Sequence, residues 1–586
     1  MDRKHKKLTA LLLACMMLFI TACVVRPKGP PDEPVEPSDD PVIVKVGFDL
    51  NYQGAPANPE TVSVTVGEPY GALPRPARED SFLTGWYFNA ECSGAKVSAS
   101  AKVTRTEDHT LYAGWSETPI PAEELYEIPS YPNNVVMNIG ASFPYLNKLQ
   151  DYADYADAGF TYIEPHYADV SFGVSTSGDK QALDMLNYAD IYGLKVLVAD
   201  SKILNYYDGD PWALLANPGI VGPTTFDSSN AYKYESHPAF MGNMIFDEPV
   251  PPTSKTGWIN NKFGWVKAKN AAYKNYFGAD KEFFFNLLPS TPQGGSYDTS
   301  FLGMTWENYL KGFLDMGLPQ LSYDNYVLLK PSLSPAVGGG KYPNPAAPIK
   351  ESFFSDLETA RTIAKQYGVP LNNYILSASH EAGSRNLYRV PTEAEIRWQV
   401  AVDLAYGVRS FTYYAYRQIT GYDSALVAIN GAKQPTYYHA QTVNNEVLAW
   451  DHVYLRFEWD KTLAVGNNFL FTPPTNHPNL ANRYLSGVAA GVAPGIKKLT
   501  CGGESLLAGI FKDKSGRNGY MLTAATEPSF GRNVTASVEF DGYDGVLVYD
   551  KGQPVILNLD SNGGAEITLE PGEGKFLIPL LLKQQG

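Results

Sequence analysis

Between residues 135 and 414 the chain alternates eight short apolar runs with helical stretches, and no other feature of the 586 residues limits the fold as strongly. The runs are Val135–Ile139, Phe160–Glu164, Lys195–Ala199, Met241–Phe246, Glu282–Leu288, Gln320–Tyr323, Tyr374–Ala378 and Ser410–Tyr414. Runs this short, bounded by polar or glycine-bearing turns, read as strands buried on both faces. The helical stretches are Asn147–Ala158, Gln181–Tyr192, Val266–Phe277, Trp306–Met316, Ser355–Tyr367 and Thr392–Tyr406. Glycine follows each of them directly, at Gly159, Gly193, Gly278, Gly317, Gly368 and Gly407. Glycine just past a helix supplies the left-handed cap, and the next strand starts soon after. The pattern predicts an α/β fold with a (β/α)8 barrel over 125–457. A doubly wound open sheet is the alternative, but no G-x-G-x-x-G follows the first strand.

The chain begins with an address. Arg3, Lys4, Lys6 and Lys7 precede an apolar run from Leu8 to Ile20. That run is shorter than the roughly 20 residues a spanning helix needs, and it fits a signal h-region. It ends Ile20-Thr21-Ala22-Cys23, which resembles a bacterial lipobox. The resemblance implies a signal peptide over 1–22, cleavage before Cys23 and a lipid on its sulfur. Residues 23–41 are rich in proline and acid and read as an extended stalk. Of the remaining cysteines, Cys15 leaves with the signal, and Cys92 and Cys501 stand far apart. Two isolated cysteines make neither a disulfide framework nor a zinc pattern. The expected location is the outer face of a bacterial membrane, held by lipid alone.

Residues 42–117 carry alternating apolar patterns at Val44–Phe48, Thr61–Val66, Phe82–Tyr87 and Thr110–Trp115. The segments FDLNY, GEPYGALPRPARE, FLTGWYFNAECSGAKV and HTLYAGW resemble one Listeria–Bacteroides repeat. That resemblance implies a small β-grasp-like module of bacterial surface proteins, serving as a spacer or in contact with a cell wall or surface. From 458 to 586 short strands recur at Leu506–Phe511, Gly519–Ala524, Thr535–Phe540, Gly545–Tyr549 and Ala565–Leu569. They predict a C-terminal β-sandwich.

Barrel enzymes carry their chemistry on the loops after the strands. Acids cluster there: Glu164 and then His166 after the second strand, Asp200 after the third, and Asp247 with Glu248 after the fourth. Asp324 follows the sixth, close to Tyr326; His380 and Glu381 follow the seventh; Asp423 follows the eighth. Paired carboxylates suit glycosidic-bond cleavage, one giving a proton and the other attacking or activating water. Asp247-Glu248-Pro249 resembles the Asn-Glu-Pro at the end of strand four in clan-A glycoside hydrolases. HPAFMGNMIFDEP, FFFNLLP, LSYDNY and EIRWQVAVDLAYGVRSFTYYAY look like barrel proteins grouped with glycoside hydrolases. The resemblance implies Glu248 as acid/base and Glu381 as nucleophile of a retaining enzyme without a cofactor. Asp247, standing where that motif has Asn, can only accept a hydrogen bond when ionised. Asp247, Asp324, Tyr326, Glu164, His166 and Tyr414 are the expected substrate-binding residues, and Cys23 the lipidation site.

Other classes find no support in the sequence. The net charge is 47 − 62 = −15, which disfavours a nucleic-acid binder. Gly338-Gly339-Gly340-Lys341 continues into Tyr342, so it is no P-loop. The eight histidines show no metal-ligand spacing, and no G-x-S-x-G elbow occurs. The expected partner is therefore a carbohydrate. A non-catalytic glycan binder on a barrel scaffold is the alternative, and an adhesin working through the repeat is a third reading.

Overall fold

The computed structural model describes residues 41–71, 73–79, 81–98, 101–118, 121–165, 173–174, 179–200, 234–249, 267, 269–290, 305–330, 349–350, 352–382, 385–386, 388–466, 484–485, 488–526 and 528–583. The leader, Cys23, the stalk to residue 40 and His166 lie outside the described residues.

Five strands make the first sheet: β1 (Ile43–Asp49), β2 (Val62–Thr65), β3 (Phe82–Tyr87), β4 (Lys96–Val97) and β5 (His109–Ser116), in the order β2-β1-β5-β3-β4. Alternation along β1 turns Val44, Val46 and Phe48 inward, where they meet Trp86, Leu111 and Ala113. Trp86 is core, and its indole N–H donates to the Pro74 carbonyl at 2.7 Å. Trp115 is half-buried and donates to the Leu50 carbonyl at 2.8 Å.

The main body is the expected parallel barrel. Its strands are β6 (Asn138–Ser142), β7 (Tyr162–Glu164), β9 (Lys195–Asp200), β10 (Phe240–Asp247), β11 (Glu282–Asn286), β12 (Leu321–Tyr323), β13 (Leu371–Leu376) and β16 (Ser410–Tyr414). Short β8 (Gly173–Val174) pairs beside β9, and β14 (Glu381–Ala382) with β15 (Arg385–Asn386) forms a hairpin after β13. The sheet runs β11-β10-β9-β7-β6-β16-β13-β12. Its two edges meet where the Leu287 N–H donates to the Ser322 carbonyl at 2.9 Å, beside a parallel bridge from Leu287 to Tyr323. All six cap glycines have positive φ, from 68° to 109°.

Two strands sit differently from expectation. The first is displaced toward the C-terminus, from Val135–Ile139 to Asn138–Ser142. The reason is inside the barrel: a Cβ on Gly140 would meet the Tyr162 ring at 2.4 Å, so only glycine lets that ring fill the interior. The seventh begins at Leu371, because Asn372 faces polar partners across the barrel instead of water.

The C-terminal region holds a seven-stranded and a three-stranded sheet. Leu506, Ile510, Leu522, Val538 and Ile567 fill the space between them. Sequence reading missed Phe457–Gly466, Ile496–Thr500, Gln553–Asn558 and Gly574–Leu580. The helix Glu393–Ala405 lies against β13 on one side and the larger C-terminal sheet on the other. It starts with a capping box in which Thr392 and Glu395 bond each other's backbone N–H.

Candidate active site

The strands that close the barrel set an apolar plug beside a polar wall. Tyr162, Leu197, Met244 and Phe284 pack together in the interior. Opposite them runs a chain of hydrogen bonds. Ser410 Oγ donates to Asn372 Oδ1 at 2.9 Å, Asn372 Nδ2 to Ser322 Oγ at 2.9 Å, and Ser322 Oγ to Asn286 Oδ1 at 3.1 Å. Buried polar groups must be paired in this way or cost stability.

Glu164 stands over this wall, 3% exposed. It accepts from the Tyr374 hydroxyl at 2.5 Å and from Thr412 Oγ1 at 3.2 Å. Burial pushes its carboxyl up to about 8, aided by the charges of Asp247 and Asp324 and opposed by these two bonds. It is thus mostly protonated at neutral pH.

The fourth strand ends in an irregular stretch. The register of β10 against β11 shifts between Met244 and Phe246, and such bulges re-aim side chains. Glu248 then adopts φ +47°, a left-handed conformation rare for a residue with a Cβ, and its N–H donates to the Asn286 carbonyl at 2.9 Å. Asn286 Nδ2 donates to Asp247 Oδ1 at 2.9 Å and to Asp324 Oδ1 at 3.3 Å. One amide therefore ties the ends of strands four and six together.

The Glu248 and Asp324 carboxyls are neighbours that compete for one proton. Asp324 is 6% exposed, whereas Glu248 is open to solvent at the mouth. Crowding by protein, then the charges of Asp324 and Asp247, drive Glu248 well above the usual carboxylate range. Asp324 rises to about 7, pushed by burial and Asp247 and held back by Glu248 and by Lys350. Glu248 is thus the member of the pair that holds a proton more firmly.

Lys350 is the counter-charge that the sequence did not suggest. It is 4% exposed; burial lowers its ammonium to about 8, against the pull of Asp356, Asp324 and Glu248. Asp356 is itself fixed, accepting from Ser290 Oγ at 2.5 Å and Asn325 Nδ2 at 2.9 Å.

An aromatic cluster borders the acids. The Tyr326 ring lies 5.1 Å from both His380 and Tyr414, and His380 stacks on Tyr422 at 5.3 Å. Burial lowers the His380 imidazole to about 4, so it is neutral, and its Nδ1 lies 3.0 Å from the Ala378 carbonyl. Tyr414 and Tyr422 are half-buried, with hydroxyls 2.5 Å apart. Tyr413 faces away and donates to Asn444, and Tyr416 packs on Tyr155 and Phe160.

The structure thus gathers Glu164, Asp247, Glu248, Asp324, Tyr326 and Tyr414 at one end of the barrel. Glu381 lies in the hairpin directly after β13, its backbone paired with Asn386; its side chain is outside the described residues, as is all of His166. Asn286, Lys350 and Asp356 were not anticipated. Among the described residues no group of three or more His, Cys, Asp or Glu is arranged to hold a metal ion.

No curated protein matches the sequence. Among solved structures, the chain is similar to a β-galactosidase from the psychrophilic Marinomonas ef1, with 12% identity and TM-score 0.37 over 54% of this chain and 60% of that one. It spans only that 60% of the Marinomonas enzyme's length. A catalytic mutant of a β-galactosidase from G. stearothermophilus gives 8% identity and TM-score 0.45, over 78% and 99% of the two chains. A putative α-galactosidase from Bacteroides fragilis gives 8% and 0.39, over 92% and 96%. Such repeats as the N-terminal module are typical of extracellular bacterial proteins, and no described helix is long and apolar enough to cross a membrane. Residues 45–114 match the family model of the Listeria–Bacteroides repeat domain, so the five-stranded sheet that precedes the barrel is a module of that family.

Proposed function

We propose that the barrel is a retaining glycoside hydrolase acting on an extracellular oligo- or polysaccharide. The observation that carries this reading is the Glu248–Asp324 pair, two neighbouring carboxyls at the ends of strands four and six, both raised above the usual carboxylate range. Glu248 gives its proton to the glycosidic oxygen while an Asp324 oxygen attacks the anomeric carbon, and the leaving sugar departs with that proton. Glu248, now ionised, takes a proton from water. The water oxygen displaces Asp324 from the sugar, which restores both groups. A retaining pair stands about 5–5.5 Å apart and an inverting pair about 6.5–9.5 Å, so neighbouring carboxyls lie nearer the retaining arrangement. Substrate must part the two carboxyls, and Glu248 is the exposed member that can move. Glu381, from its place after strand seven, is the alternative nucleophile. Glu164, Asp247, Tyr326 and Tyr414 would contact the sugar, with His166 beside them. The lipobox-like end of the leader supports tethering through Cys23 and the stalk on the bacterial cell surface.

The test is release of sugar from a glycan panel by the full chain, beside Glu248→Gln, Asp324→Asn and Glu381→Gln. Loss in the first two with activity kept in the third supports this pairing. Loss in Glu248→Gln and Glu381→Gln alone moves the nucleophile to strand seven. No release from any glycan, with binding retained, makes the barrel a glycan-binding scaffold.

A further inference from the structure

A cleft of about 500 Å3 opens between the repeat module, the segment around Tyr126 and the C-terminal sandwich. None of its lining residues lies on a barrel strand. Its floor is Asp544, 3% exposed, whose Oδ2 accepts from the Leu582 N–H at 3.2 Å. The other oxygen meets Arg75 Nη2 only at 3.7 Å, beyond a good hydrogen bond. The Arg75 charge also lies near the Tyr126 hydroxyl, which donates to Asn558 Oδ1. The guanidinium has five N–H donors, so this arrangement leaves several for a ligand, along with the exposed Asn558 amide. At the edge Phe82 is 47% exposed, a large flat ring left on the surface at the start of β3.

The cleft is lined by one cation and two carboxylates. Arg75 faces Asp544, and Asp560 Oδ1 is already occupied by the N–H groups of Asn562 and Gly564, both at 2.8 Å. The walls therefore carry a net charge of +1 − 2 = −1, which disfavours an anion. A neutral ligand with alternating donors and acceptors and one apolar face matches the walls, and a pyranose ring has that character. The volume lies within the range of about 300–1,000 Å3 usual for small-molecule sites, which favour domain interfaces.

We propose that this cleft binds a neutral pyranoside segment of a glycan, separately from the barrel mouth. The inference does not rest on the barrel's chemistry. It gives the repeat module a role as one wall of a binding site that the sandwich completes.

The test uses the full chain carrying Glu248→Gln, so that no turnover obscures binding. Affinity electrophoresis is run in gels containing galactan, β-glucan, mannan or xylan, with polygalacturonate as the anionic comparison. The expected result is retardation by at least one neutral polysaccharide, weakened tenfold or more by Phe82→Ala and by Arg75→Ala. Phe82 is exposed, so its variant keeps the fold even where Arg75→Ala does not. Retardation by none of the neutral glycans, retardation unchanged in Phe82→Ala, or retardation by polygalacturonate alone would overturn the proposal.

Discussion

Glu248 and Asp324 stand at the ends of the fourth and sixth barrel strands, yet their carboxyls act on each other across the strand between. The intervening strand supplies Asn286, whose amide reaches Asp324 at 3.3 Å and whose carbonyl accepts from the Glu248 N–H at 2.9 Å. On the proposed pairing, replacing Glu248 removes the acid and replacing Asp324 the nucleophile. Glu248→Gln and Asp324→Asn are expected to lower kcat on the active glycan by about 10²–10⁴-fold, read by reducing-sugar release. Azide should restore turnover to the variant that lacks the nucleophile, and not to wild type.

The pH profile follows from which member is ionised. The proposed mechanism uses Asp324 as carboxylate and Glu248 as acid, so kcat/KM should rise as pH passes about 7, where Asp324 titrates. Lys350 holds Asp324 down, and Lys350→Met should move that rising limb to higher pH while Lys350→Arg leaves it in place. An unmoved limb in Lys350→Met would separate the lysine from the pair.

Stability should fall as pH rises, in the opposite direction to acid denaturation. Glu164, Asp324 and Asp356 have folded-state values of about 8, 7 and 6, all above those of the unfolded chain. Between about pH 4 and 8 the folded state binds more protons than the unfolded one, so each step upward in pH destabilises it. Calorimetry at pH 5 and pH 8 should show the lower Tm at pH 8. Glu164→Gln should narrow the gap, since its amide has no proton to lose.

The backbone at Glu248 offers a stability gain at the expense of activity. With φ at +47°, glycine would relieve a conformational cost of about 1 kcal/mol or more. Glu248→Gly should therefore raise the urea midpoint while abolishing hydrolysis. A lower midpoint would mean that the side chain's contacts outweigh the strain.

Gly140 tests the barrel interior. Its missing Cβ leaves room for the Tyr162 ring, whose hydroxyl lies 2.5 Å from Thr412 Oγ1 beside Glu164. Gly140→Ala should cost about 1–3 kcal/mol by overpacking, measured by urea unfolding. It should also lower activity by displacing Glu164.

What the sequence made legible was local. Six glycines after six helical stretches announced the barrel because a left-handed cap is a property of one residue. Glu248 was legible for the same reason, as part of a tripeptide. Its partner was not. Asp324, which the fold brings beside Glu248, comes from strand six, and which strand ends face each other depends on how the cylinder closes; the side chain of Glu381, to which the resemblance pointed, lies outside the described residues. Asn286, Ser322 and Asn372 were opaque because a polar residue within a strand normally reads as solvent-facing, and here they face one another inside. Lys350 sits far along the chain from any motif, and only the fold brings it beside Asp356 and Asp324.

The helix Glu393–Ala405 is buried on nearly every side, with Trp398 donating to the Ala524 carbonyl and Gly509 packed tightly on Ala405. One apolar core runs from the barrel's outer face through this helix into Leu507, Met521 and Phe576 of the sandwich. The two regions therefore have no seam at which either could melt alone, and a calorimeter should record them as a single transition. A lesion deep in the sandwich would then lower the fraction of working protein without touching the catalytic mouth, and its loss of activity would be rescued by cooling.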